Sequence, residues 1–303
     1  MKRKFAGAIA GLALVGLLGG CANPSIDGAS GPAAEDDIVA AVQTVEEIAA
    51  MVPAEYRERG GFTISINADV EPIKFVDDEG NIAGFNPDLL RAAARVLDLQ
   101  PEFQEGTFDA MVPGLEAQRF DAIASVADFV ERQTHIDFID YLHNGTGIIT
   151  STTFEAEEIT LEDLCGLSVG FARGTSQQVS LETVSADCET AGEPAISVNG
   201  YNDSAAGILS VQSGEADAFW GDYPQVAYNA QVNPDAFQVV YEEHTSILGI
   251  GIHKDNPELR DALQAALLHL VEDGTYDALL QRWGLQELAL PEMAINSDIS
   301  IER

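Results

Sequence analysis

The chain has 303 residues, 46% of them apolar, and a net charge of -35. That apolar share supports real cores, and the length suits two compact lobes of ordinary domain size. The acidic balance excludes nucleic acid and anionic lipid headgroups as partners, because both repel a surface of this sign.

Lys2, Arg3 and Lys4 precede an apolar run from Phe5 to Leu18, which closes in Leu18-Gly19-Gly20-Cys21. A basic start, a short apolar run and small residues before a cleavage point are the pattern of an export signal. The run is shorter than the ~20 residues that a bilayer span needs. A cysteine at this place looks like a bacterial lipobox. Residues 1–20 are therefore read as a lipoprotein signal peptide, and Cys21 as the lipid-carrying first residue of the mature chain. The bland alternative is a buried apolar helix with a chance cysteine. No second long apolar segment follows, so no further crossing is expected. The expected location is the extracellular face of the cell membrane, lipid-anchored, or the periplasm if the source has an outer membrane.

Residues 21–37 are rich in Ala, Gly, Ser, Pro and Asp and read as a flexible tether. Ile38, Val42, Val45, Ile48 and Ala49 fall at helical spacing and predict a helix that Pro53 ends, within an N-terminal helical segment of 38–59. Phe62, Ile64 and Ile66 alternate as in a strand. Asn86-Pro87 marks a helix start, with Leu89, Leu90, Ala93, Val96 and Leu97 on one face. Phe108, Met111, Val112 and Leu115 form a second helical face. Residues 121–125 read as a buried strand. Leu167, Val169 and Phe171 lead as a strand into Gly174-Thr175-Ser176, a helix start. Ala216 to Trp220 is a strand that ends at Gly221-Asp222, and Pro224 opens a helix. Ile247 to Ile252 is a strand, and Asn256-Pro257 opens a long helix to Asp273. Strand and helix alternate throughout, which predicts an α/β fold with largely parallel sheets.

Cys165 and Cys188 are the two cysteines left beyond Cys21. In an oxidising compartment an even pair suggests a disulfide, against two separate buried thiols. Neither has a His or Cys neighbour at metal-ligand spacing, and no metal or cofactor is expected. There is no G-x-S-x-G elbow, no H-E-x-x-H and no P-loop. The five histidines are scattered. Beyond the signal only two lysines occur, Lys74 and Lys254.

Three places suit ligand capture better than catalysis. Gly174-Thr175-Ser176 offers N–H groups and hydroxyls at a helix start, suited to a carboxylate, or simply an N-cap. Arg132 carries a guanidinium fork that can hold a carboxylate by two parallel bonds, or a solvated surface charge. Asp222 lies at the carboxyl end of a strand, where ligands of open α/β sheets sit, or caps the helix that Pro224 opens.

These places lie in the order of a known family. From about Pro53 to Leu285 the chain resembles the extracellular solute-binding proteins of polar amino-acid ABC transporters (family 3, type II periplasmic-binding-protein-like). The matching stretches run from Asp77-Asp78-Glu79-Gly80-Asn81 through Gly84-Phe85-Asn86-Pro87-Asp88-Leu89, then Phe108-Asp109-Ala110-Met111-Val112-Pro113-Gly114-Leu115 and Phe120-Asp121-Ala122-Ile123. Glu131-Arg132 with Asp137-Phe138, Gly174-Thr175-Ser176 and Gly214-Glu215-Ala216-Asp217-Ala218 follow. Asp273-Gly274-Thr275-Tyr276-Asp277 and Trp283-Gly284 complete the set.

The resemblance implies two lobes, each with a mixed or parallel sheet flanked by helices, joined by two hinge strands and closing on a ligand. The lobes would be 60–150 plus 246–290 and 151–245, followed by a tail of 291–303. It implies that Arg132 clasps the α-carboxylate of an amino acid with help from Thr175 and Ser176. Asp222 would hold the α-ammonium, Phe108 would stack on the side chain, and Ser125 would add a polar contact to the ammonium. The implied protein is a monomer without enzyme activity, tied to the membrane through lipid on Cys21, that passes its amino acid to an ABC permease. Two departures bear on side-chain preference: Val70 replaces the family's usual stacking tyrosine, and Phe129 replaces the threonine of T-x-x-R. Two alternatives remain on this fold. One is an enzyme like cyclohexadienyl dehydratase, for which Glu71 is the candidate acid. The other is a sensory ligand-binding protein. Fold alone does not separate them.

Overall fold

A computed structural model describes residues 35–297, with side chains from 38 onward. The expected signal peptide, Cys21 and most of the tether lie outside the described residues. Three short helices come first: α1 (Glu35–Ala41), α2 (Glu46–Ala49) and α3 (Ala54–Arg59). The continuous helix predicted from Ile38 to Ala49 is thus broken at 42–45. The reason is competition for the backbone. Arg95 Nε and Nη2 donate to the carbonyls of Val42 and Ala40, and the Val45 N–H donates to Val96 O, so these groups leave the helical ladder.

The strand β1 (Gly61–Ile66) follows, then a small antiparallel sheet of β2 (Asp69–Val70), β3 (Lys74–Val76) and β4 (Ile82–Ala83). Next come α4 (Phe85–Val96), β5 (Gln100–Glu105), α5 (Phe108–Glu116), β6 (Ala122–Ala127) and the long β7 (Ile136–Ser151). Beyond it lie β8 (Ser168–Ala172), α6 (Ser176–Ala191), β9 (Ser197–Tyr201), α7 (Ser204–Ser213), β10 (Ala218–Asp222) and α8 (Tyr223–Val232). The second long strand is β11 (Phe237–His253), and α9 (Pro257–Glu272) and α10 (Thr275–Trp283) close the described chain.

The fold is the two-lobed α/β arrangement expected. The strands run in the order β5-β1-β6-β11-β7-β10-β8-β9. Pairings among β5, β1 and β6, and among β10, β8 and β9, are parallel; every pairing that involves β7 or β11 is antiparallel. The two lobes therefore share one ladder, because β7 and β11 pass through both. At one end β11 pairs with β6 through Leu248–Ile252, and at the other β7 pairs with β10 through Thr146–Thr150. Residues 146–150, placed by the sequence reading at the end of the first lobe, thus pair with the second. Between these stretches the β7–β11 register slips across Glu243–Ser246. Gly145 sits at that slip, where a Cβ would lie 2.3 Å from the carbonyl oxygen of Glu243.

Each lobe packs helices on both sheet faces, as a buried mixed sheet requires. In the first lobe α4, α9 and α10 cover one face through Leu89, Leu263 and Leu279, and α5 covers the other through Met111 and Leu115. In the second lobe α6 packs through Leu181 onto Val169 and Trp220, while α7 and α8 pack through Ile208 and Val226 onto Phe219. Cys165 and Cys188 are joined, their Cα atoms 5.7 Å apart, and pin α6 to the turn before β8. The cysteines are 23 residues apart, and a link across a loop of that size stabilises by about 3 kcal/mol in the chain-entropy account. The described end of the C-terminal tail lies along β7: Ile295 bridges to Ile139, and Asn296 Nδ2 donates to Asp137 at 2.8 Å. Among the described residues no helix is long and apolar enough to cross a membrane.

Candidate ligand-binding cleft

A small cavity lies between the lobes. All six residues singled out from sequence line it. Phe108, Ser125 and Arg132 enter from the first lobe, and Thr175, Ser176 and Asp222 from the second. A wider groove on the flank, bounded by Phe75, Val76, Leu209 and Asn233, is lined by no cationic side chain that could clasp a carboxylate by charge.

Arg132 opens a short 3-10 turn after β6. Its Nη1 donates to the carbonyl of Ala127 at 2.8 Å, which orients the fork. Its guanidinium carbon stands 5.1 Å from the Phe129 ring and 5.6 Å from the Phe108 ring, both within cation–π range. The aromatic at 129 thus braces the guanidinium with a ring face where the family pattern has a threonine hydroxyl. Nη2 reaches toward the Gly174 carbonyl at 3.5 Å, across the lobe boundary.

Thr175 is the N-cap residue of α6, yet its hydroxyl donates back to Ala172 O at 2.7 Å and caps nothing. The first turn of α6 is therefore presented to the cavity without a side-chain cap, directly opposite Arg132. That end of a 16-residue helix favours an anion. Asp222 likewise occupies the N-cap position of α8 without capping it. Its carboxylate accepts instead from Gln177 Nε2 at 3.2 Å and Asn144 Nδ2 at 3.4 Å. Burial raises the Asp222 pKa above the usual carboxylate value, and Lys74, Gln177 and Asn144 oppose that rise.

Ser125 is 3% exposed and holds a left-handed backbone, φ +58°. A non-glycine residue pays conformational strain there, and the result is a carbonyl turned toward Lys74 Nζ at 3.4 Å. Lys74, noted from sequence only for its rarity, is a full member of the cavity wall, as are Asn67, Gln177 and Ser204. Lys74 is 1% exposed, and burial pulls its pKa down to about 8 against the attraction of Asp69 and Asp222. No local pattern marks it: it sits on a three-residue strand, too short for alternation to be read.

The lobes are already in contact around the cavity. Asp69 Oδ2 accepts from the backbone N–H of Ser204 at 2.6 Å, at the start of α7. Tyr228 Oη donates to Glu71 Oε1 at 2.8 Å. Glu71 therefore serves an interlobe contact at the wider groove and does not line the cavity of Arg132 and Asp222. The dehydratase alternative loses its candidate acid by that placement.

Behind Arg132 lies a buried acid pair. Asp128 and Asp140 are 3% and 0% exposed. Gln133 donates to Asp128 Oδ1 at 2.8 Å, and the Ser297 N–H donates to Asp140 Oδ2 at 3.0 Å. The other oxygens, Asp128 Oδ2 and Asp140 Oδ1, are buried without a hydrogen-bond donor, which favours a proton on the pair. Burial, reinforced by the charge of Asp140, raises Asp128 to about 7. The folded state then binds a proton that the unfolded chain, with an ordinary carboxylate pKa of about 3.9, releases. Stability from this proton is complete below pH ~4 and is lost as pH rises toward 7. Asp128→Asn keeps the shape and supplies a permanent donor. Its melting temperature is expected to exceed that of the parent by a margin that widens from pH 5 to pH 8; a margin constant across that range would remove the shared proton.

A family profile described as bacterial extracellular solute-binding proteins, family 3, matches residues 62–286. The chain is 33% identical over 255 residues to the arginine-binding protein ArgT of Corynebacterium glutamicum, with 83% of each chain covered. Among solved structures it is similar to an ancestral arginine-binding protein bound to arginine, at TM-score 0.69 and 28% identity, covering 74% of this chain and 98% of that one. It is also similar to the ancestral amino acid-binding protein AncCDT-1, a precursor of cyclohexadienyl dehydratase, at TM-score 0.68 and 29% identity, covering 76% and 97%.

Proposed function

The chain belongs to the bacterial extracellular solute-binding proteins of family 3, and from that premise we propose that it captures a polar amino acid by lobe closure and delivers it to an ABC permease. The observation that carries this reading is a pair of opposite charges supplied by different lobes to one cavity: Arg132 from the first, Asp222 from the second. A zwitterion needs both. Arg132 with the first turn of α6 takes the α-carboxylate, and Asp222 takes the α-ammonium. Buried charges are tolerated only when paired and hydrogen-bonded, and the two charged groups of the ligand bring opposite partners to Arg132 and Asp222. Because the partners come from both lobes, the ligand binds the closed state better than any open one and shifts the population toward it. The relatives named for amino-acid binding support the same class of cargo.

In this reading Cys21 carries lipid and holds the receptor at the outer membrane face, with residues 22–37 as its leash. The protein acts as a monomer, and its partners are the amino acid and the permease. Thermal melting of the full chain against a panel of L-amino acids tests the proposal. At least one is expected to raise the melting temperature in a concentration-dependent way, by about 2.7 kcal/mol of stabilisation at a hundredfold excess over Kd. A panel in which no amino acid moves the transition would overturn it.

A further inference from the structure

Downstream of the signal this chain has two lysines, and one of them, Lys74, is buried in the ligand cleft. Lysine is among the residues least often buried, and nothing in the packing of β3 demands a cation there. Its Nζ donates to Asn67 Oδ1 and reaches Ser125 O at 3.4 Å. It stands 5.7 Å from the Phe108 ring centroid, the same ring that Arg132 approaches at 5.6 Å. Two cations thus flank Phe108 inside one cavity.

The α-groups of a bound amino acid are already matched, the carboxylate by Arg132 and the ammonium by Asp222. Lys74 takes no part in that match as assigned, and it stands over Phe108, the ring expected to stack on the side chain, with Val70 and not a tyrosine ring on the same wall. We propose that Lys74 sets the side-chain preference of the cleft: it donates to an acceptor-ended side chain, an amide or a carboxylate, and turns away the cationic side chains of arginine and lysine. This rests on the reading of the cleft as an amino-acid site.

The charge balance supports it. Lys74, Arg132, Asp69 and Asp222 are two cations and two anions around one cavity and its rim, and an added guanidinium would face two like charges with no uncommitted anion. Asp69 accepts from Asn67 through one oxygen and from the Ser204 N–H through the other. Asp203, on the rim beside it, caps α7 through the Ala206 N–H at 2.7 Å. A donor held ready opposite Phe108 instead rewards a ligand that brings an acceptor, and a site built around a donor discriminates against ligands that cannot pair with it.

Calorimetric titration of the full chain with all common L-amino acids tests this, repeated on Lys74→Glu and Lys74→Met. The tightest ligand of the parent is expected to end in an amide or carboxylate, with arginine at least tenfold weaker. Lys74→Glu should strengthen arginine at least tenfold and weaken the parent's preferred ligand by a similar factor. Lys74→Met keeps the stem and removes the charge, and its unliganded melting curve reports whether the fold is intact. It should narrow the gap between the two ligands. A parent that prefers a cationic or an apolar amino acid, or a Lys74→Met change that scales all ligands equally, overturns the role of Lys74 while leaving the amino-acid receptor standing. Failure of every amino acid to bind removes the receptor reading, and this inference with it.

Discussion

Replacing Arg132 by alanine is expected to weaken binding of the preferred amino acid by about 2–5 kcal/mol, the range for truncating one partner of a desolvated charge pair. Three features prepare the guanidinium for a ligand. The guanidinium is held from behind by Ala127 O. It is braced by Phe129 and Phe108. It lies on a short turn at the cavity mouth and not in either lobe core. Calorimetry should show the loss with little change in the unliganded melting temperature. Arg132→Lys should recover only part of the affinity, because an ammonium cannot make the two parallel bonds of the fork. Near-normal affinity of the alanine variant would remove Arg132 from the site. An equal fall in unliganded stability would make it a structural residue.

Asp222→Asn is expected to cost a similar amount, but to reveal itself through the ligand's amine. For the parent, a ligand whose α-amine is deleted should bind far more weakly than the amino acid. For Asp222→Asn that difference should largely close, because the group that rewards the amine is gone. The pH dependence gives a second signature. Burial holds the Asp222 pKa above the ordinary carboxylate value in the empty cleft, and a bound ammonium pulls it down. Binding therefore releases a proton in the window below the empty-cleft pKa, and affinity falls as pH drops through that window. The asparagine variant should lack this acid limb. A double-mutant comparison with Lys74→Met would separate direct contact with the amine from the field that Lys74 exerts on the same carboxylate.

Much of this architecture was readable before any coordinates. Proline after asparagine marked the first residue of α9 at Asn256-Pro257, and at Asn86-Pro87 it marked α4 two residues late, because that helix starts at Phe85. The alternation of Phe62, Ile64 and Ile66 marked β1. Arg132, Thr175, Ser176 and Asp222 were legible because each sits at or just past a strand's end or at a helix start, whereas Phe108 and Ser125 followed only from the family resemblance. The full length of β7 and β11 was not legible. Both strands pass out of a lobe core and back, and their apolar pattern is interrupted at His143-Asn144-Gly145 and at residues 242–245. Lys74 was invisible for another reason. Its burial depends on Phe108, Asn67 and Ser125 converging from three separate elements, and no window of sequence contains that convergence. The broken N-terminal helix follows the same rule. Arg95, some fifty residues downstream, competes for the carbonyls of Ala40 and Val42.

The passage of β7 and β11 through both halves constrains how cargo can leave. Among the described residues only two ribbons of backbone join the bodies, and they are hydrogen-bonded to each other along most of their length. Such a bridge resists shear and stretch but bends where its pairing is interrupted, around Gly145 and the slip at Glu243–Ser246. Under the proposed function, opening would be channelled into a swing about that interruption. On that reading, a permease that pries at a distant point on the rim would part Arg132 from Asp222 by leverage, with no need to touch the ligand itself.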